Sequence, residues 1–307
     1  AFAKGNRSLR YGGSRKIHSI EVHMDYPGYE LLRIGVKDGV AEAMIDAPPL
    51  HVMTLALFGE LARFGQQVGD DADVRVVVLK SADPDFFIAH FDVEALLQLP
   101  TEGEPERTPH NPFHAMCERY RTMPKVTIAQ IEGRVGGGGC ELIQAFDLRF
   151  GVLGKTVINQ MEVPIGILPG GGGTQRLPRL VGRGRALEII CGAEDLDAET
   201  AERWGLLNRA LEPGSIAAHV ERLAQRIASF PAEALDLAKR AVDAAALPLA
   251  EGLVEEAYLF QRLLRTEAAQ TNMQRFLELG GQTRAGELAV ADLSARVSRS
   301  GAGEGRD

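Results

Sequence analysis

Apolar positions in the first half of the chain gather into short runs rich in Val, Ile and Leu, at residues 31–36, 40–45, 74–80, 126–131 and 148–152. Runs of that length, punctuated by Gly, Asp and Pro, predict strands. The run at 74–79, VRVVVL, carries too few polar positions for a sheet face in water, so a strand covered on most sides is expected there. Between these runs, residues 54–68 and 114–122 read as helices. The order β-β-α-β-α-β implies an α/β layered core.

Beyond residue 174 the pattern becomes helical and is expected to stay so to 279, punctuated by Gly182, Gly192, Pro213, Pro231 and Pro248. Asp197 and Ser215 stand where N-caps belong. In the stretch 249–279, Leu253, Ala257, Phe260, Leu264 and Ala268 recur at three and four, one apolar stripe. So long a stripe predicts packing on another subunit. These features divide the chain into a flexible basic arm (1–27), a core (28–200), a helical oligomerisation region (201–280) and a flexible tail (281–307) with room for one short helix at 288–297. A Pro/Glu-rich loop is expected at 100–112.

Composition narrows the function classes. A chain of 307 residues, 45% hydrophobic, can bury one substantial core with a helical appendage. A net charge of -8 argues against a nucleic-acid binder, which needs a concentrated basic surface. No apolar run approaches the ~18 residues of a membrane span, so a soluble chain without a membrane partner is expected. Cys117, Cys140 and Cys191 are scattered without metal-ligand or disulfide spacing, which fits a reducing cytoplasm. The basic start, Lys4 to Lys16, is Arg-rich and acid-poor like a transit peptide but lacks a clear apolar face.

Two segments carry candidate chemistry. In IAQIEGRVGGGGCEL (128–142) an apolar run leads into the glycines 136–139 and then a helix. Four glycines cost backbone entropy; in return they let a ligand approach the main chain and leave amide N–H groups unpaired at a helix N-terminus, where negative charge is favoured. A tight turn would read the same way. Glu141 lies one helical turn past Gly138, so its carboxylate and that amide can share a cavity, although an acid in a first turn is also ordinary. In INQMEVPIGILPGGGGT (158–174) another acid, Glu162, precedes another glycine run, 170–173. Two acid-and-glycine units about twenty residues apart suit a carboxylate pair in which one member handles water and the other exchanges a proton with carbon.

These segments, and the stretch that continues TQRLPRLVGRGRALEIICGAEDLDAETAERWGLLNRAL, resemble the crotonase (enoyl-CoA hydratase/isomerase) superfamily over residues 31–279. The resemblance implies a crotonase-like spiral of stacked β-β-α units, α/β in class, with a C-terminal helical trimerisation region and a homotrimer or homohexamer. It implies an enoyl-CoA hydratase, with an acyl-CoA thioester as substrate and no cofactor, since coenzyme A belongs to the substrate. Glu141 and Glu162 match the two catalytic glutamates, with Glu141 activating water and Glu162 donating the proton. Gly138 and Ala89 match the amides of the oxyanion hole, and Gly170 the amide that helps hold the water. Water would add across a trans-2-enoyl-CoA through an enolate held by the hole. Two alternatives remain open: a double-bond isomerase of the same family, and a catalytically idle CoA-binding scaffold.

Departures from the family pattern add questions. In AHFD (89–92), where AGAD is common, His90, Phe91 and Asp92 are candidate substrate-pocket residues; His90 reads as a side chain in the wall, and Phe91 as core or as a residue reshaping the acyl pocket. Asp85 and Glu94 stand where relatives often carry cations for the CoA phosphates, and His51 where an Asn is common, read as a local turn change. His110 and His114 are separated by Asn111 and Pro112, which argues against a helical metal site. Cys140 has no histidine placed to activate it. Neither the dinucleotide fingerprint nor the P-loop spacing threads through GRVGGGGCEL.

Overall fold

The computed structural model describes residues 26–103 and 111–299; most of the basic segment expected as an arm (1–25), His110 and residues 300–307 lie outside the described residues. Strands β1 (Leu32–Lys37) and β2 (Val40–Ile45) pair antiparallel around Asp38 and Gly39, whose positive φ angles of 50° and 78° suit a tight hairpin turn. Helix α1 (Leu55–Asp70) starts where the Thr54 hydroxyl accepts the Leu57 N–H, and it buries Leu57, Leu61, Phe64 and Val68 as one stripe.

Three similar units follow. The first contains β3 (Val76–Ser81), β4 (Phe86–Ile88), α2 (Val93–Leu96) and α3 (Pro112–Thr122). The second contains β5 (Val126–Ile131), β6 (Arg134–Gly136) and α4 (Gly137–Ile143). The third contains β7 (Leu148–Val152), β8 (Val157–Asn159), α5 (Gly173–Val181) and α6 (Arg183–Gly192). In each unit the first strand joins a six-stranded sheet and the second a four-stranded sheet, and successive units add in parallel. The chain therefore winds from sheet to sheet and back. After β9 (Leu196–Asp197) and α7 (Ala198–Trp204), β10 (Arg209–Leu211) closes the large sheet in the order β1-β2-β3-β5-β7-β10, and β9 closes the small one as β4-β6-β8-β9.

Helix α8 (Ile216–Ala228) covers one face of the large sheet, laying Ile216, Val220, Ala224 and Ala228 on Val76, Val78, Ile128 and Phe150. The other face carries the main core, with Leu57, Phe64, Val77, Leu79 and Tyr120. Helix α9 (Ala232–Asp243) is tied to the core by Lys239, whose Nζ donates to Asp147 at 2.8 Å and to the Lys125 carbonyl at 2.9 Å. Helices α10 (Leu249–Leu264), α11 (Glu267–Glu278), α12 (Arg284–Leu288) and α13 (Val290–Arg299) complete the described chain.

The α/β layering and the five long runs agree with the sequence reading, with β3 starting two residues later than expected. Four differences are informative. The region beyond 174 is not wholly helical: Arg209–Leu211 pairs with β7, because the Asn208 carboxamide accepts the Arg149 N–H and sets the strand alongside. The stretch 249–279 is two helices, since the Thr266 hydroxyl accepts the Ala269 N–H and starts a new one. Asp197 caps α7 as expected, whereas the Ser215 hydroxyl donates to the Glu212 carbonyl and does not cap α8. The segment expected as a flexible tail with room for one short helix at 288–297 carries two helices and is packed down, with Leu293 and Val297 buried and the Ala291 carbonyl bound by Arg226. Among the described residues no helix is long and apolar enough to cross a membrane.

Candidate active site

Helix α4 brings the first glycine run against β4. A Cβ at Gly139 would lie 2.7 Å from that of Ile88, and one at Gly136 would lie 2.5 Å from the Ala89 carbonyl oxygen. Only glycine allows that approach. Gly136 occupies the N-cap without a side chain to satisfy the first helical amides, so the N–H groups of the opening turn, Gly138 included, have no partner within their own helix.

Glu141 is buried, and its Oε1 accepts the Gly171 N–H at 2.7 Å and the Gly173 N–H at 2.8 Å. The two glycine runs are thus joined through this carboxylate, which sits at the N-terminus of α5. Arg176, one turn into α5, donates Nη1 to the Gly171 carbonyl at 3.0 Å and Nη2 to Glu118 at 2.8 Å, which fixes the loop that holds Glu141. Gly170, one residue earlier, is exposed; its carbonyl accepts the Asn111 amide at 3.3 Å.

Glu162 follows β8 and is buried. Gln160 lies two residues before it and donates Nε2 to Glu162 Oε2 at 3.0 Å. Gln160 in turn accepts Nε2 of Gln144, on the turn that ends α4, at 3.1 Å. A Cβ at Gly137 would lie 3.1 Å from Glu162 Oε1, 3.3 Å from the His90 Cβ, and one helical turn from Glu141. The structure therefore gathers Glu141, Glu162, His90 and Gly138 around the opening turn of α4.

The electrostatics follow from burial. Desolvation pushes Glu141 up to about 7, repulsion from Glu162 acts in the same sense, and the Gly173 and Gly171 amides and Arg176 oppose them. Desolvation also raises Glu162, against the Gln160 hydrogen bond and the nearby His90. Two carboxyl groups that repel one another above the usual range can divide acid and base roles near neutrality. Cys140, fully buried, is raised as a thiol by desolvation, which argues against a nucleophile.

The amide expected from Ala89 is corrected by the structure. Its N–H donates to the His51 carbonyl at 3.1 Å, on the edge facing away from α4, and its carbonyl faces Gly136. The Met53 N–H donates to the His90 carbonyl and the Asp92 N–H to the Met53 carbonyl, so the Phe91 N–H points away from Met53. The Phe91 Cβ lies 3.0 Å from the position of a Gly138 Cβ. Phe91 and Gly138 therefore lie side by side on neighbouring segments. Asp92, the third pocket candidate, caps α2: its Oδ1 accepts the Glu94 N–H at 2.9 Å. His51 is buried, with φ 50° and its Nδ1 at 2.9 Å from the Ser81 hydroxyl, so it anchors the strand behind Ala89 as well as shaping a turn.

His90 is half-buried; its Nδ1–H donates to the Phe91 carbonyl at 2.8 Å, which leaves Nε2 to face its surroundings. It borders a cavity of about 280 Å³ whose walls include Ala89, Gly136, Asn159 and Met161. Among the described residues no group of three or more His, Cys, Asp or Glu could hold a metal ion. Sequence reasoning missed Gln160, Gly171, Gly173 and Arg176; for Gln160 the available signal was its two-residue spacing from Glu162, which puts both on one side of an extended chain.

Comparison with known proteins decides the family. Residues 35–283 match the family model described as enoyl-CoA hydratase/isomerase. The chain belongs to the enoyl-CoA hydratase/isomerase family. It is 32% identical to a protein of Clostridium acetobutylicum named short-chain-enoyl-CoA hydratase, over 79% of this chain and 93% of that one. It is 40% identical to a Rhizobium meliloti protein named "Probable enoyl-CoA hydratase", over 81% and 95% of the two chains. The crystal structure of an enoyl-CoA hydratase from Bacillus anthracis superposes with a TM-score of 0.74 at 27% identity, covering 81% of this chain and 96% of that one. The winding between two sheets is thus the crotonase fold.

Proposed function

We propose that this family member is an enoyl-CoA hydratase that adds water across the 2,3 double bond of a trans-2-enoyl-CoA. The observation that carries the proposal is convergence: two buried carboxyl groups, Glu141 and Glu162, flank the uncapped opening turn of α4, where Gly138 has no partner within its own helix and Phe91 packs beside it. The Gly138 and Phe91 N–H groups receive the thioester oxygen as it gains enolate charge, which is worth a few kcal/mol per donor in the transition state. Glu141, steadied as an anion by two amides and by Arg176, takes a proton from water attacking C3, and the Gly170 amide helps hold that water. Glu162, oriented by Gln160, delivers a proton to C2. No cofactor enters this scheme; the CoA portion is part of the substrate.

The apolar face of α10 supports assembly into a homotrimer, or a hexamer built from two. Leu249, Leu253 and Phe260, which share one side of the helix, are 79%, 53% and 60% exposed in the single chain, a surface that a second copy would cover. A monomeric mass in dilute solution contradicts this assembly.

The activity is tested by incubating the protein with crotonyl-CoA and, separately, with a 3-enoyl-CoA. Hydration removes the conjugated-enoyl absorbance of the first. Absorbance gained only from the second would replace hydration by double-bond isomerisation, which the same carboxylate pair can perform. No change from either, with thioester still bound, would leave an idle scaffold.

A further inference from the structure

The same site carries a cluster that the hydration scheme leaves unused. Phe58 on α1, Phe91 ahead of α2 and Phe113 in the first turn of α3 come from separate parts of the sequence and meet as one aromatic set. Phe58 and Phe113 stack with ring centres 5.9 Å apart and planes 5° from parallel. Phe91 meets Phe113 edge-on at 6.0 Å and Phe58 at 6.3 Å. All three are half-buried, so one side of the set is open.

Its position relative to the reacting groups is defined by the glycines. The Phe113 ring comes within 3.5 Å of where a Gly138 Cβ would stand and within 2.5 Å of where a Gly171 Cβ would stand. Glu141 Oε2 is 2.8 Å from that same Gly171 position. Phe113 therefore touches both the main-chain donor and the loop that holds the carboxylate. The cavity beside His90 and Met161 is lined by Gly136, two residues before Gly138, whereas Gly138 and Gly171 are faced by the Phe113 ring. An acyl chain that leaves the Gly138 amide on the side of α3 therefore meets the Phe113 ring. Phe113 cannot swing aside without unstacking from Phe58 and losing its edge contact with Phe91.

Resting on the proposed hydratase reading, we infer that Phe113, braced by Phe58 and Phe91, is the wall that ends the acyl pocket and restricts the site to short-chain enoyl-CoA thioesters. The three rings set specificity and take no part in proton transfer. The restriction is steric: each further methylene has to displace an aromatic ring held by two others. Discrimination per methylene in such pockets runs from about 10- to 200-fold.

The experiment compares trans-2-enoyl-CoAs of four, eight and twelve carbons in the full chain, by kcat/KM, and the matching saturated acyl-CoAs by calorimetric binding. The wild type is expected to lose about tenfold or more in kcat/KM between four and eight carbons. Phe113→Ala should raise the eight-to-four ratio by about tenfold, and Phe113→Trp should lower it further. Phe58→Leu, which loosens the brace without touching the glycines, should move the ratio in the same direction as Phe113→Ala and serves if that variant fails to fold. Equal turnover of four and twelve carbons by the wild type, or a uniform loss across lengths in both Phe113→Ala and Phe58→Leu, overturns the inference. The binding arm separates the two claims: preference for butyryl-CoA without hydration of any substrate refutes the hydratase reading and retains the pocket wall, whereas hydration of every length retains the reading and removes the wall.

Discussion

Glu141→Gln should slow the enzyme and stabilise the fold, and the second effect should depend on pH. Gln keeps an oxygen where Glu141 Oε1 accepts the Gly171 and Gly173 amides, so the loop between the glycine runs stays in place. What disappears is a buried charge. Glu141 is raised from 4.5 to about 7, a difference worth about 3 kcal/mol between the folded and unfolded chains. The folded pKa lies above the unfolded one, so below 4.5 both states are protonated and the ionisation costs nothing. Between 4.5 and 7 the unfolded chain ionises while the folded chain holds its proton, so the wild type loses that increment progressively, and the loss is complete above 7. The Gln variant has no such loss. Its melting temperature should match the wild type near pH 4 and exceed it at pH 8 by about 5 °C, from roughly 2 °C per kcal/mol in a chain of this size. Differential scanning calorimetry at several pH values gives the curve, and crotonyl-CoA hydration should fall by about 10²- to 10⁴-fold in the same protein. A melting difference that does not vary with pH, or a Gln variant less stable than wild type at pH 8, refutes the assignment of Glu141 as a buried, reluctantly ionised group.

Gln160→Leu removes the donor that opposes the rise of Glu162, so Glu162 should keep its proton to higher pH; the limb of the kcat/KM profile that reports it should move up by about one unit, and a downward move contradicts the contact. Arg176→Met frees the Gly171 carbonyl and should lower kcat by about 10- to 100-fold with little change in thioester binding, because the loop holding Glu141 loses its brace; a change confined to KM would place Arg176 in substrate binding instead.

What the sequence revealed and what it hid have physical reasons. The strand β3 was legible because a strand covered on both faces must be apolar throughout, as in Val76–Leu79, and β1 and β2 because their buried positions recur along short apolar runs. The pairs of strands that make the fold wind were not. Phe86–Ile88, Arg134–Gly136 and Val157–Asn159 are three residues each, too short for a periodicity to register, and they exist because neighbouring units add in parallel. The acids at Glu141 and Glu162 stood out because each is followed or preceded by glycines that a turn alone does not require. The donor proposed to partner Gly138 lies two residues on, at Phe91 rather than Ala89, because which amide is engaged is decided by pairing with His51 and Met53, nearly forty residues away in sequence. The same non-local logic hid the packing of α13: a short helix was expected near 288–297, but its polar composition gives little sign that Leu293 and Val297 are buried.

The account stands or falls on where a thioester oxygen rests. A crystal structure of the full chain with a saturated, unreactive acyl-CoA should place that oxygen about 2.7–3.1 Å from both the Phe91 and Gly138 nitrogens, with the α and β carbons between Glu141 and Glu162. An oxygen bound elsewhere, or one taken by an Ala89 amide released from His51, contradicts it.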